Sequence, residues 1–141
     1  MIVLDTNVVS ELMRPAPNTK VVAWVDGWPA GELAVTALTV AEVLYGIERL
    51  DDGQRKEMLQ ALARTMFEEE FGDRVLSFGA EEAEVYAGLV TRRQAQGRPI
   101  SMADAQIAAI TICRGAKLAT RNVEDFAGLS LEVVNPWGGG G

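Results

Sequence analysis

Short apolar runs alternate with longer amphipathic stretches along this chain. Ile2, Val3 and Leu4 lead straight into Asp5, which predicts a buried strand over 2–5. Residues 7–13 read as a helix that stops before Pro15, because the position ahead of a proline disfavours the α conformation. A second helix fits 18–27, with Asn18 as N-cap, Val21, Val22, Trp24 and Val25 on its apolar side, and Gly27 and Pro29 at its end. Leu33, Ala34 and Val35 predict a second strand, and 38–50 carry a wide helical stripe that includes Leu38, Val43, Leu44 and Ile47. Asp51-Asp52-Gly53 breaks the pattern as a solvated turn, after which 54–71 predict one long amphipathic helix. Further on come a strand at 75–78, a helix at 80–96 closed by Gly97, and a helix at 101–113 ended by Gly115. A fourth strand at 117–120 and a fifth, edge-like one at 131–134 complete the series.

Strands that alternate with helices in this way predict an α/β domain with a mostly parallel sheet of about five short strands. In such sheets functional groups collect at the carboxyl ends of the strands. Asp5 ends the first strand, and the turn Thr120-Arg121-Asn122 follows the fourth. At 141 residues the chain reads as one domain over 1–137 with a flexible glycine tail at 138–141. No apolar run is long enough to cross a bilayer, and the first residues lack a basic leader, which points to a cytoplasmic protein with no membrane role. The lone Cys113 has no intrachain partner for a disulfide and reads as a small buried residue in a reducing compartment.

Candidate chemistry is narrowed by what is missing. The chain contains no histidine, which excludes His-based general bases, Ser-His-Asp triads and His-ligated zinc. No Walker-type loop occurs, and Asp5-Thr6-Asn7 lacks the second acid of a haloacid-dehalogenase phosphatase. Three acids stand out near predicted helix starts: Asp5, Glu42 and Asp104. Taken singly, each reads as a cap: Asp5 as an N-cap, Thr39 to Glu42 as a capping box, Ser101 to Asp104 as a similar pattern. Taken together they form an oxygen-only donor set suited to a hard cation, Mg²⁺ or Mn²⁺. Helix N-termini would hold such acids ionised, and their mutual repulsion would be relieved by a cation between them. The formal net charge of −7 argues weakly against nucleic-acid binding, yet says nothing of local patches. Arg92, Arg93, Arg98, Arg114, Lys117 and Arg121 cluster in the second half and read either as flanks of a phosphate-binding site or as solvated helix faces.

Four segments in order carry a family resemblance. Met1–Asn7 with the following Val8 to Glu11, Thr39–Gly46, Ile100–Ala109 and Ala119–Phe126 resemble PIN-domain proteins, and Asn135-Pro136-Trp137 fits one branch. Together they span essentially residues 1–137, and the branch they are most similar to is the VapC toxins, including the FitB proteins. The resemblance implies a three-layer α/β/α fold and a Mg²⁺- or Mn²⁺-dependent endoribonuclease that forms homodimers. It further implies inhibition by a cognate, DNA-binding antitoxin. Carried over by motif, Asp5, Glu42 and Asp104 match the family's acids, and Thr6 and Thr120 its hydroxyl residues.

One position departs from the pattern. Where many members carry a fourth acid, this chain has Asn122, and the next acids are Glu124 and Asp125. Asn122 brings no charge, so Asp125 becomes the candidate outer contributor and a single resting metal is expected. On this reading Arg121 contacts an RNA substrate, Asp5 and Asp104 hold the cation and Glu42 completes its shell. An acidic pocket also suits an arginine inserted by an antitoxin, and apolar faces of the helices at 7–27 and 54–71 would seat a partner helix. A PIN-like nuclease for RNA processing or DNA, or a binding module without catalysis, would keep the same fold.

Overall fold

In the computed structural model, which describes residues 1–138, five strands form one sheet in the order β3-β2-β1-β4-β5, and every pairing is parallel. The strands are β1 (Ile2–Leu4), β2 (Leu33–Thr36), β3 (Val75–Leu76), β4 (Lys117–Ala119) and β5 (Val133–Val134). The helices are α1 (Thr6–Leu12), α2 (Thr19–Asp26), α3 (Ala37–Glu48), α4 (Gln54–Arg64), α5 (Ala80–Ala95) and α6 (Met102–Cys113). Of the expected glycine tail, 139–141 lie outside the described residues.

The central strands are apolar on both faces, apart from Lys117 and Thr36 at their ends, because both faces of the sheet are covered. Ile2, Leu4, Leu33, Val35 and Ala119 point into one core with Val8, Val9, Val43 and Phe67. Val3, Ala34 and Leu118 point into the other with Leu89, Ile107, Ile110 and Phe126. Alternation along each strand thus divides the interior into two layers, one under α1 to α4 and one under α5 and α6. Gly97 and Gly115 follow α5 and α6 at φ +69° and +60°, a left-handed conformation that a Cβ would strain.

Three expected elements differ. The single helix expected over 54–71 is α-helical only to Arg64 and continues as a π-helical segment, Thr65–Phe71. Met66, Phe67 and Phe71 are all buried there, and the wider turn serves that larger inward face. The strands expected at 75–78 and 131–134 are paired over two residues each, the short edges of the sheet. Cys113 is half-buried rather than buried.

Candidate active site

The carboxyl ends of β1, β2 and β4 bring together Asp5, Thr36 and Thr120. Asp5 caps α1, and Oδ1 accepts from the Thr6 backbone N–H at 2.8 Å. Its Oδ2 accepts from the Thr120 hydroxyl at 2.7 Å and from the Asn7 amide at 3.4 Å. Thr120 Oγ1 in turn accepts from Asn7 Nδ2 at 3.3 Å and from the Asn122 N–H at 3.1 Å. One donor and two acceptor positions exhaust what a hydroxyl can do, so this threonine is fully committed. Asn7 Oδ1 also accepts from the Arg121 N–H at 3.2 Å, tying the loop after β4 to the loop after β1.

A second chain of hydroxyls ends on Glu42. Thr36 donates to Thr39 at 3.4 Å, Thr39 stands 3.0 Å from Thr6, and Thr6 donates to Glu42 Oε1 at 3.1 Å. Since the Thr6 proton points at the carboxylate, Thr39 is the donor to Thr6, and all three protons run toward Glu42. Glu42 is therefore not the cap expected of it. The N-cap of α3 is Thr36, which accepts from the Thr39 N–H, and Glu42 lies more than a turn further in. Glu42 is exposed. Asp104 sits in the first turn of α6, where Ser101 caps its N–H at 3.2 Å as expected.

Burial is the largest influence on two of these acids. Desolvation pushes the Asp5 carboxyl above its usual range; hydrogen bonds from Thr120 and Thr6 oppose it, and the charge of Glu42 adds to it. Asp104 is also pushed up, first by burial, against its Ser101 hydrogen bond, then by the charges of Asp5 and Asp125. Asp5, Glu42, Asp104 and Asp125 thus share one field. Among the described residues none of the four forms an ion pair with a lysine or arginine. Oxygen-only donors, coupled to one another and lacking a basic partner, fit a hard divalent cation. As placed, no three acids among the described residues stand close enough to enclose one.

The basic residues separate. Arg93 is buried and donates from Nε to the Arg98 carbonyl at 2.8 Å and from Nη1 to those of Asp125 and Ala127 at 3.2 Å each. It fastens the turn that carries Asp125, a task its sequence pattern did not distinguish from that of exposed Arg92. Lys117 lies at the amino end of β4, away from the site, and pairs with Glu132 at 3.0 Å. Arg121 alone of the six stands in the loop tied to Asn7 and Thr120, its guanidinium 5.0 Å above the Trp137 ring. Asn7, Thr36 and Thr39 were not expected in the site; the signal for Asn7 is its place in the Asp5-Thr6-Asn7 turn.

An apolar groove of about 1190 Å³ runs between α1, α3 and α4, with Met13, Ile47, Leu59 and Leu62 in its walls and Glu42 on its rim. Helix α3 takes the part expected of α2, which contributes nothing to this groove. No described helix is long and apolar enough to cross a membrane.

Relatives align over nearly the whole chain. The VapC ribonuclease Y4jK of Sinorhizobium fredii is 36% identical, with 97% of this chain and 98% of that protein aligned. Toxin FitB of Neisseria gonorrhoeae is also 36% identical, over 97% and 99%. The crystal structure of FitAcB from Neisseria gonorrhoeae superimposes with a TM-score of 0.92 at 36% identity, covering 98% of this chain and 99% of that one. With its residues 2–129 matching the PIN domain model in addition, the chain belongs to the PIN-domain family.

Proposed function

We propose that this chain is the toxin of a type II toxin–antitoxin module, a metal-dependent endoribonuclease held inactive by its cognate antitoxin. The observation that carries the reading is the acid set at the carboxyl end of the sheet, coupled internally and left without a basic partner. The ribonuclease and toxin names of relatives aligned over nearly the full chain supply the substrate class.

Asp5 and Asp104 would hold Mg²⁺ or Mn²⁺, with Glu42 completing the shell. The cation supplies Lewis-acid polarisation of the scissile phosphate and a lowered pKa for the attacking water. The chain's own residues do the rest. Thr120 and the Thr6 N–H fix both oxygens of Asp5. The hydroxyl chain from Thr36 orients Glu42. Asp125, on the turn clamped by Arg93, adds negative charge beside Asp104 in place of the acid that Asn122 lacks. Without the cation the same acids repel RNA phosphates, so substrate binding depends on metal.

The antitoxin would lay the apolar face of a helix into the groove between α1, α3 and α4. Glu42 on the rim gives an arginine of that partner a carboxylate to pair with. A cytoplasmic homodimer completes the reading.

The test is cleavage of a panel of transfer and ribosomal RNAs by the purified chain with Mg²⁺, with Mn²⁺ and with chelator. Discrete metal-dependent cuts, absent with Asp104→Asn, are expected. Cuts that persist in chelator or in the variant would overturn the assignment.

A further inference from the structure

Beside the acids lies a second concavity, to which the proposed hydrolysis assigns only Asp125 on its rim. It is a shallow depression of about 430 Å³ lined by Arg121, Asn122, Val123, Glu124, Asp125 and Asn135. Its volume falls in the range of small-ligand sites, about 300–1,000 Å³. It opens at the carboxyl ends of β4 and β5 and is continuous with the acid site, since Asn122 donates to Thr120 Oγ1 and Thr120 to Asp5. Resting on the ribonuclease reading above, we propose that this depression seats one nucleobase of the RNA, a guanine, next to the phosphate that is cut.

The lining selects a base over a phosphate. Glu124 and Asp125 would repel a second phosphate, whereas carboxylates accept N–H donors from a base edge. Asn135 Oδ1 already accepts from the Trp137 N–H at 2.9 Å, which leaves its amide N–H₂ as the group to offer. A site that combines carboxylate acceptors with amide donors matches guanine, whose Watson–Crick edge carries two adjacent N–H donors beside a carbonyl. Uracil brings one ring N–H, and adenine and cytosine one exocyclic amine each.

Arg121 supplies the flat surface. One face of its guanidinium is propped on Trp137, and the residue is exposed. Among the described residues it forms no ion pair with a carboxylate. Unpaired bases of single-stranded RNA stack on such guanidinium planes. The Trp137 ring and the Asn7 bond to the Arg121 N–H hold the plane and its loop in place before substrate arrives.

The test needs no hydrolysis. The full chain is titrated in Mg²⁺ with GMP, AMP, CMP, UMP and inorganic phosphate, none of which has an internucleotide bond to cut, and backbone amide NMR shifts are followed. GMP should move the amides of 121–126 and 135, and bind roughly tenfold tighter than the other three. Arg121→Lys keeps the charge and loses the plane, and Asn135→Asp keeps the acceptor for Trp137 and loses the donor. Each should weaken GMP roughly tenfold. Shifts reproduced by inorganic phosphate alone, equal binding of all four nucleotides, or GMP binding unchanged in both variants would overturn the proposal. GMP bound here by a chain that cuts no RNA would leave the base seat standing and remove the nuclease reading; RNA cleavage without GMP shifts at these residues would do the reverse.

Discussion

The two ends of the same sheet treat their charges in opposite ways. At the amino ends, the Met1 ammonium pairs with Glu32 at 3.2 Å and Lys117 with Glu132 at 3.0 Å. At the carboxyl ends, none of Asp5, Glu42, Asp104 and Asp125 pairs with a lysine or arginine among the described residues. The amino-end pairs are exposed and close the surface with nothing left over. At the carboxyl ends Asp5 is buried and Asp104 half-buried, and the charges of exposed Glu42 and Asp125 repel them, an arrangement the fold alone does not favour. Charge matched on one end and left uncompensated on the other is the contrast on which the proposed cation site rests.

Replacing either central acid should break that asymmetry most severely. Asp5→Asn or Asp104→Asn is expected to lower kcat/KM for RNA on the order of 10³-fold or more, the scale of losing several kcal/mol of transition-state stabilisation. Thr120→Val removes the hydroxyl that donates to Asp5 and accepts from Asn7 and Asn122. Manganese affinity, measured by calorimetry, should fall about 10–100-fold, the usual cost of losing a group that orients a metal ligand.

Arg93→Met would sharpen the comparison from beneath. It strands the carbonyls of Arg98, Asp125 and Ala127, and chemical denaturation should show a loss of about 3 kcal/mol. Its activity should fall no further than that of Asp125→Asn, because the arginine acts through that turn.

The pH response has a definite sign. The carboxyls of Asp5 and Asp104 sit above their usual range in the folded chain, so between the unfolded and folded pKa the native state binds more protons. Their contribution to metal-free stability is fully present below the unfolded pKa and is lost as pH rises through the folded one. Asp104→Asn should accordingly raise the metal-free melting temperature at neutral pH slightly, by the equivalent of ~0.5 kcal/mol after discounting for solvent screening of a half-exposed group. Metal affinity of the native chain should weaken as pH falls, because protons compete for the same oxygens. At the other end of the sheet, Lys117→Met should change stability by less than about 1 kcal/mol, as exposed pairs do, and leave cleavage unaltered.

The regular parts of this design can be read from the chain. Buried parallel strands show as short apolar runs at 2–4, 33–35 and 118–119, and Asn18 and Ser101 announce the helices they cap. Asp5, Glu42 and Asp104 each lie in one of the segments that resemble the family, and the fold brings them close enough for their charges to act on one another. Their environment could not be read from the chain. The pattern from Thr39 to Glu42 imitates a capping box, and only the register of β2 into α3 shows that Thr36 is the cap and that Glu42 receives a hydroxyl chain instead. The ionisation of Asp5 depends on burial, which the helix-start argument does not contain. Arg93 and Arg92 are neighbours of one type, and only the turn at 125–127, brought back over α5, separates a clamp from a solvated side chain. The π-helical turn at 65–71 likewise follows from the core it faces, since its residues carry a fair helical period on their own.

The most direct measurement is a calorimetric titration of Mn²⁺ into the metal-free chain, repeated on Asp5→Asn, Asp104→Asn and Lys117→Met. Binding by the native chain and by Lys117→Met, lost in both aspartate variants, is the result expected of a cation site at the carboxyl end of the sheet. Binding that survives in both aspartate variants, or none in the native chain, would contradict it.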